Sequence, residues 1–231
     1  MDYIFAGFLK ACGLIFSLDQ EVLGIALLSL RVSAVATFLA SIAGIPIGFI
    51  IGTGIFRGKR TLITLFNTLM AFPTVVVGLL LYSFISRQGP LGALGLLFTP
   101  WAMVIGQFVL ATPIIVALTI SATQGVDSRV RITALSMGAN RIQTALTVLS
   151  EARFALISAV IAGFGRVITE VGCALMVGGN IRGYTRTMTT AIALETAKGD
   201  FAFSLALGFV LLIVAFWVNI FFNWLQGRAG S

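Results

Sequence analysis

Three stretches without a single charged side chain constrain this chain most: 25 residues between Arg31 and Arg57, 26 between Arg60 and Arg87, and 27 between Asp200 and Arg228. At a rise of about 1.5 Å per residue, each exceeds the roughly 20 residues that cross a hydrocarbon layer of about 30 Å. Helices of soluble domains average only about 11–12 residues, so runs of this length belong in lipid. Only 10% of the 231 residues are charged, against about a quarter in a soluble domain, which is too few to cover a surface in water.

The expected fold class is therefore all-α and transmembrane. Five spans are predicted, at about 23–54, 62–86, 101–121, 154–178 and 201–225, within a spanning domain of residues 23–225 followed by a tail of 226–231. Pro46, with Gly44 and Gly48 beside it, offers a bend in the first span, and Pro73 and Pro113 offer the same in the second and third. Both residue types are common in membrane helices in any case. Ahead of the spans, residues 3–18 are too short to cross. They place Phe5, Phe8, Leu9, Cys12, Ile15 and Phe16 at helical spacing, so residues 1–22 read as a helix lying in the interface. Asp2, Lys10 and the lack of a small-residue cleavage site argue against a secretory signal.

The formal charge of +7 would point to nucleic acid in a soluble protein. In a membrane protein it reads as topology and as attraction to anionic lipid, so lipid and not nucleic acid is the expected partner. Arg57, Lys59, Arg60, Arg129, Arg131, Arg141, Arg153 and Arg228 fall on one side of the five spans. Lys10, Arg87, Arg182, Arg186 and Lys198 fall on the other. The first group is the larger, which places it in the cytoplasm, with the N-terminus outside and the C-terminus inside. There is no histidine, and Cys12 and Cys173 lie in apolar surroundings, so neither a metal site nor a disulfide framework is expected. The same poverty of histidine and of clustered carboxylates disfavours an enzyme.

Residues from about 126 to 150 are too polar to cross lipid, yet they carry helical signals. Ser128 to Met137 reads as one helix, Gly138 interrupts it, and Ala139-Asn140 opens a second helix through Val148. The pair is either a compact cytoplasmic knob or a basic hairpin resting on the inner leaflet. The run Ile132-Thr133-Ala134-Leu135-Ser136-Met137-Gly138, followed after nine intervening residues by Val148-Leu149-Ser150-Glu151, resembles the "EAA" loop of ABC-importer permeases. Ile132 stands where that family has Glu, and Ser150-Glu151 where it has Leu-Pro. The resemblance implies a coupling helix in which Ile132, Thr133, Ala134, Gly138, Ala139 and Arg141 meet an ATP-binding subunit.

A second stretch is similar to the molybdate, sulfate and tungstate permeases. It runs Val167-Ile168-Thr169-Glu170-Val171-Gly172, continues to Gly178-Gly179-Asn180-Ile181-Arg182-Gly183, and ends Thr185-Arg186-Thr187-Met188-Thr189-Thr190-Ala191-Ile192. Among these, Thr-Glu-Val-Gly and Gly-Asn-Ile-Arg-Gly look most like the tungstate permeases. The resemblance covers nearly the whole chain. It implies a five-span type I permease in the cytoplasmic (inner) membrane, working as a homodimer with two ATP-binding cassette subunits and an extracytoplasmic oxyanion-binding protein. ATP and Mg would sit on the cassette subunits, since no GxxxxGK[ST] pattern occurs here. The cargo implied is tungstate, with molybdate, vanadate or sulfate as alternatives. A stand-alone channel is the rival from another class.

Arg31, Arg166 and Glu170 are the charges that fall inside the predicted spans, Arg31 and Glu170 each about 12 Å from the outer end at 1.5 Å per residue. Two readings stay open: Arg31 or Arg166 pairs with Glu170 to lock helices together, or these charges belong to an anion path. The outer segment adds Asn180, Arg182, Thr185, Arg186, Thr187, Thr189 and Thr190. Their donors suit an oxyanion path or outer gate. They equally suit docking of a binding protein, or, for the threonines, helix capping.

Overall fold

A computed structural model gives the arrangement of the chain; it describes residues 19–228 together with Phe5, Phe8, Leu9 and Gly13, and for 221–228 the backbone alone. The helix expected at 3–18 lies outside the described residues apart from those four. Ten α-helices follow: α1 Gln20–Thr53, α2 Lys59–Met70, α3 Thr74–Ile85, α4 Pro100–Gln124, α5 Ser128–Ser136, α6 Arg141–Glu151, α7 Arg153–Ile168, α8 Gly172–Gly178, α9 Met188–Ala197 and α10 Phe201–Arg228. A single 3-10 turn, Gly92–Leu94, lies between α3 and α4. Among the described residues, three helices, Gln20–Thr53, Pro100–Gln124 and Phe201–Ile220, are long and apolar enough to cross a membrane, and two bent pairs, α2 with α3 and α6 with α7, bring the number to five if each pair is one span.

Two of the expected spans are not continuous helices. Residues 62–86 are not one helix, because α2 and α3 meet at 96° across Ala71-Phe72-Pro73. Pro73 has no N–H to donate and disfavours helical backbone at the residue before it, so the ladder stops there. Pro46 and Pro113, by contrast, lie inside the uninterrupted α1 and α4. Residues 154–178 are not one helix either: α7 ends at Ile168, three residues intervene, and the short α8 begins at Gly172. Beyond its other end, α7 meets α6 at 68°.

The core is built around α4, which packs against α1, α2, α3, α7 and α8. Along α1, Ala36, Ala40, Gly44, Gly48 and Gly52 recur every fourth residue and are all buried. Such a stripe lets two backbones approach closely where lipid supplies no hydrophobic drive. A β-carbon on Gly44 would lie 3.0 Å from the Ile115 side chain, and one on Gly48 would lie 2.6 Å from Thr119 Cβ and 2.8 Å from the Val116 carbonyl. The contacts advance together along both helices, so α1 and α4 run parallel. Gly163 repeats the device on α7, where a β-carbon would meet Ile115 at 2.9 Å. Gly48→Ala is therefore expected to force the pair apart and lower stability by about 1–3 kcal/mol, the usual cost of overpacking. Gly24→Ala, in the same helix with nothing within 4 Å, should be neutral. Thermal unfolding of the two purified variants in one detergent checks the contrast.

The helix ends are satisfied locally. Asp19 accepts from the backbone N–H groups of Glu21 and Val22, each at 3.0 Å, and so caps α1. At the other end, Lys59 Nζ donates to the carbonyls of Gly52 at 2.6 Å and Gly54 at 3.1 Å, which places a cation where the helix dipole is negative.

Candidate functional site

Two clusters hold the residues singled out in the sequence. The first is the α5–α6 hairpin. Gly138 N–H donates to the Leu135 carbonyl and Ala139 N–H to the Ala134 carbonyl, both at 3.0 Å, and Gly138 has φ +82°. This is a Schellman end, whose turning residue needs the left-handed backbone that glycine adopts without penalty. Asn140 then opens α6 with a capping box, in which Asn140 Oδ1 accepts from Gln143 N–H at 2.9 Å and Gln143 Oε1 from Asn140 N–H at 2.8 Å. The turn is thus fixed from both sides, and the hairpin is a rigid knob. On it Ile132, Leu135, Met137, Ile142 and Leu146 are exposed, Met137 to 82%. Thr133, Ala134 and Ala139 line a hollow on the hairpin, and Arg141 lines another together with Phe49 and Thr53 at the end of α1.

The second cluster lies at the break between α7 and α8. The Glu170 side chain is 2% exposed and accepts from Arg166 Nη1 at 3.0 Å through one oxygen and from Cys173 N–H at 3.0 Å through the other. One carboxylate therefore neutralises the cation at the end of α7 and caps the start of α8. Gly172 and Gly78 allow the short helix to lie on α3. A β-carbon at Gly172 would sit 2.8 Å from Val75, and one at Gly78 would sit 2.9 Å from the Cys173 Cα. Arg31 does not join this pair. Its side chain is exposed and lines a cavity that also contains Glu21 and Arg186.

From Gly178 the chain turns through three residues with positive φ, Gly179 at +70°, Asn180 at +50° and Gly183 at +73°. The four threonines are buried and tie this segment together. Thr185 Oγ1 donates to the Gly178 carbonyl at 2.6 Å and accepts from Ile181 N–H at 3.0 Å. Thr187 caps α9 and forms a capping box with Thr190. Thr189 Oγ1 donates to the Glu170 carbonyl at 2.8 Å, so the segment is anchored on the α7–α8 break. Asn180 Nδ2 reaches the Thr190 carbonyl at 3.3 Å, and Ser29 of α1 accepts from Met188 N–H at 2.9 Å. The hydroxyls are held inside the fold. The exposed Arg182 donates to both Glu21 oxygens, at 2.8 and 2.5 Å, while the largely buried Arg186 lies 4.0 Å from the same carboxylate. The hydrogen bond to Glu21 raises the pKa of Arg182 further above its already high ordinary value.

Three contributors were not singled out in the sequence. Glu21 is separated from Arg182 by 161 positions, and only its place in the first turn of a helix hints at a role. Ser29 gives no signal. Phe98, with φ +61°, donates its N–H to the Val177 carbonyl at 2.9 Å and packs where a Gly179 side chain would be, which no spacing reveals.

Comparison with known proteins fits this arrangement. The chain is 44% identical over 219 residues, covering 95% of this chain and 92% of the relative, to a protein of Campylobacter jejuni named tungstate uptake system permease protein TupB. It is 40% identical, with 95% and 96% covered, to the protein of the same name from Peptoclostridium acidaminophilum. A solved structure of the MetNI methionine ABC transporter, described as inward facing, superposes with a TM-score of 0.72 over 94% of this chain and 98% of that one; at 16% identity this is a likeness of fold. The profile of the family described as binding-protein-dependent transport system inner membrane component matches residues 44–230, and the chain belongs to that family.

Proposed function

We propose that this chain is the five-span, type I permease subunit of an ATP-driven importer whose cargo is tungstate, a tetrahedral dianion. The observation that carries the reading is the 44% identity to a permease named for tungstate uptake across 95% of the chain. Two copies form the pathway, two ATP-binding cassette subunits that hold ATP and Mg dock from the cytoplasm, and an extracytoplasmic binding protein delivers the anion. The N-terminus lies outside and the C-terminus in the cytoplasm, a reading supported by the basic residues around α5–α6 and Arg57-Gly58-Lys59-Arg60.

The α5–α6 knob is the coupling helix. Its exposed apolar side chains supply a docking surface, and its doubly capped turn transmits movement that a loose loop would absorb. ATP-driven closure of the cassettes would pull the knobs and switch the dimer between outward- and inward-open states. The segment from Asn180 to Thr190 is the outer gate: the threonines hold its shape and Arg182 and Arg186 give it charge.

The tungsten, molybdenum and vanadium contents of cells with and without the gene, grown at equal low external concentrations and measured by mass spectrometry, test the cargo. Tungsten alone is expected to fall. Equal loss of molybdenum would make the cargo oxyanions in general, and no change in any of the three would refute the reading.

A further inference from the structure

The outer gate stands beside a cavity of about 420 Å³ between the first turns of α1 and the loop before α9, lined among others by Gln20, Glu21, Arg31, Gly183, Tyr184 and Arg186. Its charges do not balance. Two guanidinium groups face one carboxylate, and that carboxylate is already bound through both oxygens by Arg182 from the side. Arg186 is left with the longest contact, 4.0 Å, although its side chain is only 15% exposed. Its Nε is buried and has no hydrogen-bond partner. A buried donor left unmade is costly, more so on a charged group. Arg31 has no ion-pair partner among the described residues, and it lies on a helix that is otherwise uncharged from Val22 to Thr53. Cations at such depth face a water path or a counter-charge, because lipid supplies neither.

We propose that Arg31 and Arg186 form a seat for a tetrahedral oxyanion group, and that Glu21, on the wall of the same cavity, is the seat's built-in competitor, drawing Arg186 until the anion displaces it. Guanidinium forks match the oxygen edges of such a group bidentately. The cavity has room for it with part of its water. The competing carboxylate solves a problem that two arginines alone would create, since a site in a transport path must bind weakly enough to release. In its soluble-anion form the proposal rests on the oxyanion reading above. The same chemistry is carried by the phosphate of an anionic lipid, and the two sources are separable.

The full chain in nanodiscs of zwitterionic lipid is dialysed against tungstate, molybdate and sulfate, and the bound anion is measured by mass spectrometry. Arg31→Gln and Arg186→Gln are each expected to weaken binding by about tenfold, the effect of losing one charge-assisted hydrogen bond. Glu21→Gln is expected to strengthen it by a similar factor. A misfolded variant cannot bind more tightly, so the opposite signs protect the test from loss of folding. In parallel, the proteins are mixed with phosphatidylglycerol and retained lipid is counted. Retention with the same dependence on Arg31, Arg186 and Glu21, in place of free-anion binding, assigns the seat to lipid phosphate. Binding of neither, or a Glu21→Gln variant that binds no more tightly than the parent, overturns the proposal. An intact seat with unchanged cellular tungsten would instead count against the cargo and leave the seat standing.

Discussion

Replacing Arg166 with methionine is expected to destabilise the protein by about 3–4 kcal/mol, whereas Glu170→Gln should cost only about 1–2 kcal/mol. The asymmetry follows from burial. The Glu170 side chain is 2% exposed and the Arg166 side chain 36%, so removing the arginine strands a fully buried anion, while removing the charge on the glutamate leaves a cation that still reaches the protein surface. Glutamine also keeps an oxygen for the Cys173 N–H, which preserves the cap on α8. Thermal unfolding of the two variants and of the double variant gives the comparison, and the double is expected to recover part of the Arg166→Met loss because no unpaired charge remains. Uptake should follow stability in all three. A Glu170→Gln protein that folds as well as the parent yet transports nothing would instead give Glu170 a direct part in the anion path.

The second large effect is expected at the α5–α6 knob, proposed above as the coupling element. Gly138→Val puts a β-branched residue at φ +82°, where the backbone is strained for any side chain, and it dismantles the Schellman turn that sets the angle between α5 and α6. The local penalty is about 1–2 kcal/mol, small beside the stability of the spanning helices. Transport is nonetheless expected to fall by more than about tenfold, because a coupling element displaced by even a fraction of a turn would no longer fit the groove proposed for it. Met137→Glu approaches the same surface differently. The side chain is 82% exposed, so folding should be untouched, while a carboxylate set into an apolar contact should release the ATP-binding subunit. Co-purification of the cassette with each variant, alongside the unfolding temperature, separates lost docking from lost folding. If both variants retain the cassette and transport normally, the hairpin is not the coupling element.

How much of this could be read in advance depended on whether the determinant was local. The uncharged runs marked most of α1 and α10, since span length is a property of consecutive residues, whereas the run between Arg60 and Arg87 is divided by a bend. The turn at Gly138 was equally visible, because a helix end, a glycine and an Asn cap are adjacent in sequence. Proline was not decisive by itself. Pro46 and Pro113 sit in continuous helices while Pro73 divides α2 from α3, and only the surrounding packing distinguishes them. The break at Thr169-Glu170-Val171 was hidden because the segment is apolar on both sides. What makes it a break is a carboxylate that serves Arg166 and Cys173 at once. The threonines before α9 could have lined a path or capped a helix on sequence alone, and burial places their hydroxyls within the fold. Arg31 illustrates the limit best. Depth suggested Glu170 as its partner, but its neighbours in the cavity are Glu21, on the same helix, and Arg186, which no spacing rule connects to it.

The central claim, an importer driven by ATP on partner subunits, is tested most directly by tungstate uptake into proteoliposomes. The chain is reconstituted alone, with its ATP-binding subunits, and with these plus the binding protein outside. Accumulation is expected only in the complete assembly, only with ATP on the cassette side, and against a gradient of the anion. Tungstate crossing through the chain alone, without ATP and only down its gradient, would contradict the account and make the protein a channel.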